Sequence, residues 1–343
     1  MNFKGIGIFF AFLTNLKIYA FKLTSRPMNK QGGISCNEIK TVVFSGGGLR
    51  GGPMLAGAML RLHEKFKNFD FYSPNRTLEE VRGTSIGSMA AIYVACRIPP
   101  KEFVEDMLTV DYEQMVQWSV LSLMGTYGLN DGTQIKEYFN NFIYEKTGII
   151  DCTFEQLCAW SGLRIKIVAS DINQNGEEFV MSGETTPKIK VSEAVAASMA
   201  IPIIFSPQRL GEKVLVDGGV VNHFPIAGKA GKCDPNTTLG FLCCPKDRIK
   251  HIGSDEPWSY YDRLISVLLR MLDKSQRDHR EHIVTLKLES PESVPGTPVL
   301  TWQFTSNQRT DLVEKGGTEV DRFIKDGLIT NLPSKSVSTQ TQT

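Results

Sequence analysis

The 343-residue sequence predicts an α/β fold, in which a largely parallel sheet is covered on both faces and carries its site at the carboxyl ends of the strands. Three observations predict it. Apolar, β-branched runs alternate with stretches of helical period, and two strand-to-helix junctions are crowded with glycine. A hydrophobic fraction of 41% beside a charged fraction of 22% is the composition of a globular chain able to bury a substantial core.

The first 37 residues read as an apolar extension and a linker. Gly5 to Leu13 behind Lys4 imitates the charged and apolar parts of a secretory signal, but the run is too short to span a bilayer. Thr14 to Lys22 lacks a small-x-small cleavage site, so a signal peptide is not expected, and residues 5–22 are read as packing on the domain or lying peripherally on a membrane. Residues 23–37, rich in Ser, Asn, Gly and Lys, form the linker.

The domain proper is expected over 38–332. Ile39 to Phe44 makes a β-branched strand that stops at Ser45-Gly46-Gly47-Gly48-Leu49-Arg50-Gly51-Gly52. Pro53 suits a first helical turn, and Met54, Leu55, Ala58, Met59 and Leu62 recur at helical spacing up to Phe66. A second such unit runs from Leu78 to Val81, through Gly83-Thr84-Ser85-Ile86-Gly87, into a helix over Met89 to Ala95 that Pro99-Pro100 ends. Residues 101–148 read as amphipathic helices interrupted at Gly125 and at Gly128 to Gly132, with Met107, Leu108, Met115, Val116, Trp118, Leu121, Leu123 and Met124 assigned to core packing in preference to lining a lipid cleft.

Leu163 to Ala169 and Glu178 to Met181 flank Asn175-Gly176 as a hairpin. A helix at Val191 to Ala200, strands at Ile201 to Phe205, Lys213 to Val216, Leu239 to Cys243 and Ile283 to Leu288, and helices at 257–273 and about 309–327 complete the domain. The Ser-, Thr- and Gln-rich tail over 333–343 is expected to be disordered.

The formal charge of +1 excludes bulk attraction to nucleic acid. Seven cysteines without regular spacing suit a reducing, cytoplasmic setting and provide no zinc pattern. Asp171 to Gly176 copies half of a calcium loop, but Ser182 stands where a bidentate Glu is needed, so no metal or cofactor is expected.

Chemistry concentrates in the two glycine-framed turns. Small residues around Ser85 permit a strained elbow that exposes a nucleophile, and amides of a glycine loop can hold the charge that develops on a carbonyl oxygen. Such a serine needs a base. None of the five histidines stands in a motif-like context, although His223 lies near a loop of interest. Asp217, at the end of a β-branched strand and followed by Gly218-Gly219, is the better candidate, with Asp171 as a second. Two rival readings remain from other classes. Gly46, Gly48 and Gly51 also satisfy G-x-G-x-x-G, with Asp70 about twenty residues on, as in a nucleotide-binding module, or the fold could bind lipid without catalysis.

The order Gly-Gly-Gly-x-Arg-Gly, Gly-x-Ser-x-Gly, Asp-Gly-Gly over about 39–225 resembles the patatin-like phospholipases, as do Gly128-Leu129-Asn130-Asp131-Gly132 and Ala197 to Phe205. The resemblance implies a three-layer α/β/α sandwich around a mainly parallel sheet and calcium-independent hydrolysis of phospholipid, lysophospholipid or other glycerolipid esters through an acyl-enzyme. Membrane phospholipids or lipid aggregates would be the substrate. It implies Ser85 as nucleophile, Asp217 as base without histidine, and the amides of Gly46, Gly47 and Gly48 as the oxyanion hole. Arg50 would support the loop or contact phosphate. Asn130, where an acidic residue is frequent, and Ile86, bulkier than the common residue after the nucleophile, depart from the pattern.

Overall fold

A computed structural model describes residues 33–66, 70–73, 77–111, 119–245, 284–290 and 304–330. In chain order these residues form β1 (Ile34–Ser35), β2 (Thr41–Phe44), α1 (Gly48–Lys65), β3 (Glu80–Thr84), α2 (Ile86–Ala95), α3 (Pro100–Thr109), α4 (Val120–Thr126), β4 (Gly128–Asn130), α5 (Thr133–Thr147) and α6 (Phe154–Ser161). There follow β5 (Arg164–Asp171), β6 (Glu177–Ser182), α7 (Val191–Ser198), β7 (Ile203–Phe205), β8 (Gln208–Leu210), β9 (Lys213–Asp217), β10 (Thr238–Pro245), β11 (Val284–Ser290), α8 (Ser306–Lys325) and β12 (Ile329–Thr330).

The expected sheet is present. Its order is β11-β10-β2-β3-β5-β9-β8, with β6 also on β5. From β11 to β5 every pair is parallel, while β6 and β9 run antiparallel to β5, and β8 runs antiparallel to β9. Residue alternation along β2 explains why both faces must be covered. Val42 and Phe44 enter the large core with α1 and α2, whereas Val43 joins Phe224, Ile226, Cys233 and Leu242 on the other side.

The antiparallel strands set up the site. Along β5, β3 pairs with Arg164 to Val168 and β9 with Ala169 to Asp171, while β6 occupies the facing edge over Lys166 to Asp171. A strand has only two edges, so β3 and β9 share one and abut end to end. Thr84 lies opposite Val168 and Asp217 opposite Ala169. The residue after β3 therefore meets the last residue of β9.

Several local expectations are corrected. Helix α1 begins at Gly48, so Pro53 lies inside it and not in its first turn. The cause is Gly48 itself, whose φ of +58° lets the helix open directly out of the glycine loop. Residues 34–37, read as the end of the linker, form β1 and, together with Glu38, a 3₁₀ turn, and β1 pairs in parallel with β12. Gly128 to Asn130 is not a bare interruption but a short strand paired with β7. Met124, assigned to core packing, is 85% exposed. The hairpin is present, but its connection is not the two-residue turn that Asn175-Gly176 suggested: Asp171 pairs with Glu177, and the loop between them is a 3₁₀ turn over Ile172–Gln174 followed by Asn175 and Gly176 at positive φ. The extension at 5–22, Met115, Val116 and Trp118, the helix at 257–273 and the tail at 333–343 lie outside the described residues. Among the described residues, no helix is long and apolar enough to cross a membrane.

Candidate active site

Ser85 holds φ 53° and ψ −128° between β3 and α2, a strained conformation for a residue with a side chain. The surrounding glycines are there because backbone passes too close for anything larger. A Cβ on Gly83 would lie 2.2 Å from the Gly87 carbonyl oxygen, and one on Gly87 would lie 2.4 Å from that of Phe44. The elbow is held from both sides. The Ser85 amide donates to Ser198 Oγ at 2.8 Å, which itself donates to the Val168 carbonyl at 2.7 Å. The Ser85 carbonyl accepts from the Ser88 amide and hydroxyl at 2.8 and 2.6 Å.

Ser85 Oγ donates to Asp217 Oδ2 at 2.6 Å, with no group between them. The other carboxylate oxygen accepts from the Gly219 amide at 2.7 Å. The Asp217 amide donates to the Ala200 carbonyl at 2.8 Å, and Ser170 Oγ donates to the Asp217 carbonyl at 2.9 Å. Both Ser85 and Asp217 are buried. Burial pushes the Asp217 carboxyl up to about 6, and the bonds from Ser85 and Gly219 pull partly the other way.

The glycine loop sits beside this pair. Gly47 and Gly48 open α1, and amides in a helix's first turn have no intrahelical acceptor, so they form a positive end suited to an anion. Gly46 differs: its amide donates to the His223 carbonyl at 2.9 Å. Of the three glycine amides expected to hold an oxyanion, this one is already engaged. A Cβ on Gly46 would meet the His223 ring at 2.8 Å and Ser85 Cβ at 3.4 Å, so the buried imidazole packs against the loop close to the serine. Ser45 anchors the loop to β10, its hydroxyl accepting from the Cys243 amide at 2.8 Å. Arg50 is buried in the same helical turn.

An apolar cavity of about 40 Å³ starts at Ser85, Gly48 and Ile86 and runs between Met107, Val110, Tyr138, Phe139, Ile201 and Phe205. Its narrowness matters, because it holds little more than one water molecule. Met89, Met107 and Met199 are flexible walls, able to repack around a longer guest.

The other sequence candidates lie elsewhere. Asp171 faces Lys213 Nζ at 2.8 Å and accepts from the Asn173 amide. Burial alone would push its carboxyl up, but Lys213 and the Asn173 and Val214 amides hold it below the usual range. Asp70 closes a local turn, its Oδ1 accepting the Tyr72 and Ser73 amides, both at 2.9 Å. No cluster of metal-ligating side chains occurs among the described residues. Ser198 lies in a stretch that looked familial, yet its contact with Ser85, 113 residues away, has no local signature. The grip of His223 on Gly46 has none either.

A family model described as patatin-like phospholipase matches residues 42–228, more than half of the chain. The chain belongs to that family. It is 27% identical over 308 residues to the uncharacterized protein YqhO of Bacillus subtilis (strain 168), covering 82% of this chain and 97% of that one. It is also 27% identical over 190 residues to the probable lipid hydrolase 463L of invertebrate iridescent virus 6, covering 54% of this chain. That match spans 62% of the viral protein's length. Among solved structures, VipD from Legionella pneumophila superposes with a TM-score of 0.51 at 15% identity, over 84% of this chain and 67% of that one, which is a likeness of fold.

Proposed function

We propose that this chain is a serine acyl hydrolase acting on fatty-acyl esters of phospholipids, lysophospholipids or other glycerolipids. The observation that carries the reading is the direct 2.6 Å bond from Ser85 Oγ to a buried aspartate whose proton affinity is raised to a useful range, at the mouth of an apolar cavity. An ordinary carboxylate near pKa ~4 is too weak a base at neutral pH, whereas one near 6 is largely ionised yet accepts a proton readily.

Asp217 takes the Ser85 proton while Oγ attacks the ester carbonyl. The amides of Gly47 and Gly48 stabilise the oxyanion at the positive end of α1, and Gly46 acts as their anchor through His223. Collapse of the tetrahedral adduct breaks the ester C–O bond, and the proton held by Asp217 passes to the departing alkoxide. Water then adds to the acyl-serine, Asp217 again takes a proton, and fatty acid leaves as the serine is restored. The balance closes without a metal, so calcium independence belongs to the proposal. Arg50 acts as support for the loop, in keeping with its burial. The seven cysteines, all free, fit a cytoplasmic setting.

The test is a fluorophosphonate probe combined with hydrolysis of a short-chain soluble ester and of a phospholipid. Labelling confined to Ser85, with both activities abolished in Ser85→Ala, is expected. Full turnover by a folded, contaminant-free Ser85→Ala protein would end the reading.

A further inference from the structure

Beside the cavity lies an apolar surface that the chemistry does not use. Met124 is 85% exposed, Tyr127 69% and Ile203 38%. They belong to two stretches laid side by side: Gly128 pairs with Ile203 and Asn130 with Phe205, the Ser206 amide donates to the Asn130 carbonyl at 2.7 Å, and Ser206 Oγ donates to Thr126 Oγ1 at 2.8 Å. The second stretch is also a wall of the cavity, since Met199, Ile201 and Phe205 line it. The outer face of this wall is thus continuous with the inner one.

Two features separate this surface from scattered apolar exposure. The backbone is strained where the side chains project: Tyr127 has φ 63° and Ile203 φ 75°, the latter a genuine outlier for a β-branched residue. Neither Ser119 to Asn130 nor Met199 to Ser206 contains an Asp, Glu, Lys or Arg. Uncharged stretches of this kind, the first bounded by the exposed Asp131, have no electrostatic preference of their own for an anionic partner and gain by entering hydrocarbon.

We propose that Met124, Tyr127 and Ile203 form the face by which the protein seats on a zwitterionic lipid surface, with the cavity rim against the bilayer. The proposal rests on the lipid-hydrolase reading for its purpose, but not for its measurement. Seated this way, an acyl chain passes from bilayer to cavity beside Phe205 and Ile201 without crossing water.

The test compares the full chain with Met124→Glu/Tyr127→Glu, whose positions are too exposed to disturb the core, and with Ile150→Glu, an equally apolar residue, 69% exposed, outside both stretches. Sedimentation with phosphatidylcholine vesicles is expected to give about tenfold or weaker partitioning for the double variant alone, because membrane affinity scales with buried apolar area. Hydrolysis of vesicle phospholipid should fall in parallel while a soluble short-chain ester is turned over as before. Unchanged partitioning, an equal loss in Ile150→Glu, an equal loss on both substrates, or an altered oligomeric state in place of altered partitioning would each overturn it. Vesicle binding of Ser85→Ala, read without turnover, separates failure of this face from failure of the hydrolase reading.

Discussion

Replacing Asp217 by Asn should remove the reaction and make the protein more stable. The carboxyl stands at about 6 in the fold against 3.8 without it, a rise of roughly 2 units, and each unit corresponds to ~1.4 kcal/mol. Above pH 6 the folded protein therefore carries about 3 kcal/mol of penalty for an ionised, buried side chain. The sign follows from proton counts. Between about pH 4 and 6 the folded state binds more protons at this site than the unfolded chain, so stability is lost as pH rises through that window. Below pH 4 both states are protonated and the penalty vanishes. Asn keeps the shape and can still bond to Ser85 and Gly219, but it has no charge to desolvate. At pH 8 it should raise Tm by about 5 °C for a domain of this size, and at pH 4 by almost nothing. Hydrolysis should fall by about 10²- to 10⁴-fold, the usual worth of a positioned base. Circular-dichroism melts at both pH values and ester hydrolysis at pH 8 are the assays. A variant less stable than the parent at pH 8, or a gain equal at pH 4 and pH 8, would refute the claim that desolvation sets this group's proton affinity. Retained hydrolysis would refute its role as base.

Because Asp217 must be ionised to accept the serine proton, kcat/KM for a soluble ester should fall with an acid limb near pH 6, and a limb near pH 4 would contradict the raised value. Ser198→Ala removes the acceptor of the buried Ser85 amide, which should cost about 1–3 kcal/mol of stability and lower kcat about tenfold with KM little changed; unaltered kcat would show that the elbow holds itself. Glu80 is buried at the far end of β3 from Ser85, where it pairs with Arg82, Arg164 and Lys166, and burial raises its carboxyl less than these cations lower it. Glu80→Gln, which leaves the buried Arg82 bonded to the Pro225 and Gly231 carbonyls but without a carboxylate partner, should cost about 3–5 kcal/mol in urea denaturation while leaving specific activity intact, and a loss below about 1 kcal/mol would count against the network.

Much of this was determined by the sequence alone because the causes are local. Apolar periodicity marked β2, β3, α1 and α2, Asn175-Gly176 announced its hairpin, and crowded glycines betrayed backbone approaching backbone at the elbow. Order and spacing of three motifs then named the family and the candidate serine and aspartate. Only tertiary structure decided that β9 runs antiparallel along the same edge of β5 as β3, end to end with it, and so that residues 132 positions apart share a hydrogen bond. The burial that raises the proton affinity of Asp217 to about 6, the engagement of Gly46 by His223 and the outward turn of Met124 were equally invisible in the chain, although the need for a raised affinity was not. Each depends on which distant groups exclude water or supply a partner at one point in space, and a one-dimensional pattern carries no record of that.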